Sequence, residues 1–120
     1  MNSLNILVVS GIQLARHSLV VFLKSLGHSA VEVFNIDQAL NVIRVKQVKF
    51  DVLIVDFDNE NSKNDMALLE AVRNHDPNIR LYARFGSDAK DIVSKAKNLG
   101  VVCMSKMTTP DRMLEILSLG

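Results

Sequence analysis

Two charged side chains, each standing at the end of an apolar run, are where chemistry could begin. Asp56 closes the segment Phe50 to Asp56, whose Val52 to Val55 stretch is unbroken Val, Leu and Ile. A carboxylate just past a buried strand can act as a nucleophile or bind a cation. A loop-capping aspartate would look the same. Lys106 follows a second apolar run, Val101 to Met104. Its ammonium can pair with a carboxylate or a phosphoryl oxygen, although a lone lysine in such a place is usually solvated. Asp56 and Lys106 together say more than either alone. Asp58 and Glu60 follow Asp56 in a polar stretch and could add metal ligands, against the commoner reading of solvated loop acids.

Other residues point less far. Ser10-Gly11 opens a helical segment and could approach a phosphate, but no G-x-G-x-x-G or G-K-[ST] motif accompanies it. His17 reads as a surface residue early in the first helix. Met104, Met107 and Met113 read as core filler rather than an adaptable binding surface. Cys103 is the one cysteine. It cannot form an internal disulfide, so a reduced, cytoplasmic setting is expected. No Cys/His cluster has zinc spacing.

The elements that must hold these residues alternate between strand and helix. Leu4 to Val9 reads as a buried strand stopped by Ser10-Gly11. Leu14 to Leu26 carries Leu19, Phe22, Leu23 and Leu26 at helical spacing. Gly27 stands where a helix end wants positive φ. Ala30 to Phe34 is a second strand. Asn35 or Asp37 caps a helix with Ile36, Ala39, Leu40 and Ile43 on one face. After the Phe50 to Asp56 strand, a loop from Phe57 to Asn64 leads to a helix bearing Met66, Leu69 and Val72, and Pro77 stops it. Ile79 to Ala83 is a fourth strand. Asp88 caps a helix carrying Ile92, Val93, Ala96 and Leu99, closed by Gly100. Val101 to Met104 is the last strand, and Thr109-Pro110 starts a helix with Met113, Leu114 and Leu117 inward.

These are β-α units in series. Strands separated by helices run parallel, with right-handed crossovers that cover both sheet faces. Reactive sites in such sheets lie at the carboxyl ends of the strands, which directs attention to Ser10-Gly11, Asp56, Ala83 to Gly86 and Ser105-Lys106. The 120 residues suit one domain. A net charge of +1 gives no field favouring nucleic acid or a membrane surface. No apolar run nears the ~20 residues of a membrane span.

At this point the chain resembles the receiver domains of two-component response regulators over nearly its whole length. "ILVVSGIQLARHSLVVFLKSLGH" is similar to their first strand and helix, "NIDQAL" to the start of the second helix, "FDVLIVDFD" to the third strand and "AKNLGVVCMSK" to the last helix-strand unit. The resemblance implies a (βα)5 flavodoxin-like three-layer sandwich with sheet order 2-1-3-4-5. It places the phospho-accepting aspartate on Asp56 and the phosphate-sensing lysine on Lys106.

The departures are as informative. The family's acidic pair, which helps hold magnesium, falls on Ser10 and Gly11. Magnesium prefers several oxygen ligands, with one or two carboxylates among them, so Asp56, with Asp58 as a weak addition, would bind it poorly. Counting back from Gly100 puts the switch hydroxyl on Phe85. Shifting the register offers Arg84, Ala83 or Tyr82, and none has a small side-chain hydroxyl. The switch aromatic falls near Cys103, and the proline after the lysine is Met107.

The expectation is a cytoplasmic pseudo-receiver over residues 1–120, the N-terminal part of a longer protein. It would act through contact with a protein partner (a histidine kinase, an output domain or a second copy in a homodimer) rather than as an enzyme. No cofactor is expected beyond weakly held magnesium. The interaction face would be the fourth helix, fifth strand and fifth helix, with Lys90, Ser94, Lys97, Arg112 and Met113. Two alternatives stay open: a working phosphoacceptor at Asp56, and a flavodoxin-like cofactor-binding protein.

Overall fold

The computed structural model describes residues 3–45, 49–57, 62–86 and 90–119. Strands and helices alternate as β1 (Asn5–Val9), α1 (Gln13–Ser25), β2 (Ser29–Val33), α2 (Ile36–Val45), β3 (Val52–Asp56), α3 (Ser62–His75), β4 (Arg80–Phe85), α4 (Lys90–Asn98), β5 (Val102–Ser105) and α5 (Pro110–Leu119). The five strands form one parallel sheet in the order β2-β1-β3-β4-β5. This is the flavodoxin-like α/β sandwich of the expected order.

Strand periodicity divides the apolar residues between two layers. Leu7, Val9, Leu53, Val55, Leu81, Ala83 and Phe85 face one side, against Ala39 and Leu40 of α2, Leu69 and Val72 of α3, and Ala96 of α4. Ile6, Val8, Val52, Ile54 and Tyr82 face the other, against Val20 and Leu23 of α1 and Met113 and Leu117 of α5. The inner strands are therefore apolar on both faces and read as continuous runs.

Local chemistry sets the element ends. Asn35 Oδ1 accepts the Gln38 N–H at 2.8 Å, and Gln38 Oε1 accepts the Phe34 N–H at 2.7 Å. This reciprocal cap starts α2 and makes Asn35, not Asp37, the capping residue. Thr109 Oγ1 accepts the Arg112 N–H at 3.3 Å, with Pro110 opening α5. Gly27, at φ 92°, turns the chain out of α1 in a conformation that side chains disfavour.

Two expectations need correction. β4 runs on through Arg84 and Phe85, beyond the expected end at Ala83, because Ala83 and Phe85 continue its core-facing alternation. Met107 is not core filler: it is 88% exposed on the turn after β5. The predicted cap Asp88 lies outside the described residues.

Candidate functional site

The parallel sheet gathers the ends of β1, β3, β4 and β5 along one edge, as Asp56 and Lys106 require. Asp56 is the last residue of β3, and its partner in the β3–β4 register is Arg84. Residues opposite each other in neighbouring strands project to the same face. The contact is direct: Arg84 Nε lies 2.9 Å from Asp56 Oδ1, with the side chains only 17% and 14% exposed. Both atoms are shut off from solvent, and neither has an aligned hydrogen-bond partner among the described residues. The pair is thus a close charge contact set by register, without the directional grip of a bidentate guanidinium–carboxylate pair.

This geometry settles which residue faces Asp56. The gapless count reached Phe85, but Phe85 lies buried on the opposite face, its ring centroid 4.6 Å from that of Phe57. Arg84, one residue earlier, is the one beside the carboxylate. Lys106 is exposed on the turn after β5 at the same edge, its backbone N–H donating to Phe85 O at 3.0 Å. Among the described residues, the cation in ion-pair contact with Asp56 is Arg84.

Ser10 and Gly11 follow β1, the strand paired with β3 on its other side. Ser10 is buried; its N–H donates to Val33 O and its Oγ accepts the Ile12 N–H, both at 3.2 Å. It serves the turn into α1. Gly11 is exposed, and a Cβ there would meet nothing nearer than Phe34 O at 4.0 Å. A side chain would fit, so the glycine is not imposed by crowding. A cleft of about 170 Å³ opens here, lined by Gly11, Phe34, Val55, Asp56 and Asp65 among others.

Receivers, which the sequence resembles, hold magnesium at this edge. The residues here do not fit it. Ser10 and Gly11 offer no carboxylate, Asp56 is engaged by a guanidinium, and Asp65 has an interaction of its own. Among the described residues no three His, Cys, Asp or Glu side chains gather as a metal-binding group. Asp58 and Glu60 lie outside those residues.

Sequence reasoning missed Arg16. It is only 5% exposed, yet charged. Its Nη1 donates to Ser10 O at 2.8 Å and its Nε to Glu32 Oε1 at 2.9 Å, while its guanidinium lies 4.6 Å from the Phe34 ring centroid. Glu32 Oε2 is also 3.2 Å from His17 Nδ1. The hydrogen bonds from Arg16, then His17, hold the Glu32 carboxyl below its usual range. This cluster clamps the end of β1 to β2 beside the candidate site. The trace in the sequence is that Arg16 shares the buried face of α1 with Val20 and Leu23.

On the face expected to bind partners, Ser94, Lys97 and Arg112 are exposed, and Arg112 Nη1 donates to Glu115 Oε2 at 2.7 Å. Met113 is a correction: it is buried in the core against the sheet. The side chain of Lys90 lies outside the described residues. Cys103 is half-buried in a shallow cavity of about 250 Å³ shared with Phe85, Val93, Lys97 and Met104. Burial pushes its thiol pKa up.

No family model and no curated protein matches the chain in sequence. Solved structures do match in fold. A response regulator receiver protein from Pseudomonas putida is similar with a TM-score of 0.85 at 20% identity, over 100% of this chain and 99% of that one. A chemotaxis response regulator of Vibrio cholerae gives a TM-score of 0.80 at 17% identity, over 98% of each chain. The NtrX protein of Brucella abortus gives 0.82 at 20% identity, over 98% of this chain but only 27% of its own. The fold is that of response-regulator receivers.

Proposed function

We propose that the chain is a receiver-like signal-transduction domain of a two-component or phosphorelay regulator, a pseudo-receiver in which magnesium-dependent phosphorylation of Asp56 is impaired. It works through protein contact, with a histidine kinase, an output domain or a second copy as partner, and turns over no small substrate. Its setting is cytoplasmic.

One observation carries the reading. Asp56 ends the third strand of a 2-1-3-4-5 sheet, while the two positions after the adjoining β1 are Ser10 and Gly11. Phosphoryl transfer depends on neutralising charge around the transferred group and positioning it, a task commonly given to bound metal. With no carboxylate at these two positions, the edge retains the scaffold and the aspartate but loses that part of the ion's anchorage.

The test is incubation with a small phosphodonor and magnesium, followed by intact mass. The unmodified mass is expected throughout. A stoichiometric phosphoryl adduct that disappears in the Asp56→Asn variant would favour the working phosphoacceptor instead.

A further inference from the structure

We propose that Arg84 is a tethered counter-ion: its guanidinium neutralises Asp56 from the β4 side and so keeps divalent cations off the carboxylate. This deepens the reading above and rests on its assignment of Asp56, but it names an active barrier where the missing acidic pair is only an absence.

Asp56 and Arg84 are opposed on adjoining strands, and the Phe57 N–H donates to Arg84 O at 3.0 Å, so the ladder holds past the pair. The guanidinium therefore has a fixed base from which to reach the carboxylate. Oδ1, one of the two oxygens a metal could use, is buried beside Nε. Arginine suits this role because its charge is permanent and less strongly hydrated than an ammonium. A hydrated divalent ion approaching Asp56 meets one covered oxygen and a like charge within a few ångströms, a repulsion that partial burial strengthens.

The missing hydrogen-bond alignment also matters. The guanidinium is held by where its strand puts it rather than by a bidentate lock, so one substitution should release the carboxylate. Arg84 also lines a groove between α1 and α5 with Leu19, Phe22 and Met113. Arg84→Met keeps an unbranched stem for that groove and removes the charge.

The experiment titrates magnesium and, separately, manganese into the folded full chain. It follows the Asp56 and Phe57 amide shifts for magnesium and the rise in thermal midpoint for both ions. Wild type, Arg84→Met, Arg84→Gln, Arg84→Lys, Gly11→Asp and the Gly11→Asp/Arg84→Met pair are compared. Arg84→Met and Arg84→Gln should bind divalent ions at least about tenfold more tightly than wild type. Arg84→Lys, which keeps the charge, should stay near wild type. Gly11→Asp alone should gain little, and the pair should gain most. Unchanged affinity in both neutral variants overturns the proposal. If neither folds, Gly11→Asp decides alone: tight binding with Arg84 in place shows that the guanidinium is no barrier, and unimproved binding supports it. These outcomes concern ion binding only. Phosphorylation of the wild type would sink the functional reading by a different measurement.

Discussion

Arg84 stands directly across the β3–β4 ladder from Asp56, and the two nearly buried charges lie 2.9 Å apart. An isolated cluster of acids would gain stability from neutralising one of its members. A cation–anion pair loses it, because removing one partner leaves the other charge poorly compensated.

Asp56→Asn is therefore expected to destabilise the fold. Both side chains keep some solvent contact, which screens the loss, so we place it at about 1–3 kcal/mol. Urea unfolding of the two proteins checks it. A variant more stable than wild type would show that the pair contributes nothing and that Asp56 sits among repelling groups.

The alternation of apolar runs and helical periods made the fold legible, and so did Asn35, Gly27 and Thr109-Pro110 at the helix ends. Asp56 and Lys106 could be placed at the right edge because strand ends are marked by where such runs stop. The residue opposite Asp56 was not legible. Tyr82, Ala83, Arg84 and Phe85 offer no single apolar run, and a count from Gly100 assumes a loop length that the sequence does not state. The β3–β4 register fixes the choice at Arg84. Arg16 escaped for a related reason: its charge suggests solvent, while its burial depends on Ser10, Glu32 and Phe34 from other elements.

Arg16 should be structurally expensive to lose. Arg16→Met strips the donors from Ser10 O and Glu32 Oε1 while keeping much of the side-chain volume, at an expected cost of about 2–3 kcal/mol. Arg16→Lys should rescue little, since an ammonium cannot reproduce a planar guanidinium bonded on two edges. Chemical denaturation of both variants tests this. A lysine variant as stable as wild type would reduce the site to simple charge neutralisation.

Glu32 makes a prediction about acid. Its folded pKa lies below the ordinary value of 4.5, so the unfolded chain takes up its proton first as pH falls. The stability it contributes is present above that ordinary value and is lost as pH drops through the lowered one. The stability difference between wild type and Glu32→Gln should accordingly narrow below about pH 4.5 and hold steady at neutral pH. A pH series of unfolding midpoints reads it directly. A gap that widens in acid would contradict the Arg16 and His17 contacts.

The last prediction concerns coupling between Asp56 and the face formed by α4, β5 and α5. A ligand or modification shifts an equilibrium only by what it does differently in the two states. Here the positions where a switch hydroxyl and a switch aromatic would fall hold neither group. Phe85 is buried with its ring against Phe57. Cys103 stands where an aromatic switch would fall, its Sγ donating weakly to Val93 O at 3.9 Å. The residue facing Asp56 is an arginine with no hydroxyl. Association through the exposed Lys97 and Arg112 should therefore be blind to the aspartate. Sedimentation velocity of wild type, Asp56→Asn and Asp56→Glu is expected to give one self-association constant. Reversing both charges, with Lys97→Glu and Arg112→Glu, should change it about tenfold or more if copies of the chain meet there. A large response to Asp56 alone would mean that the ion pair reports to this face after all.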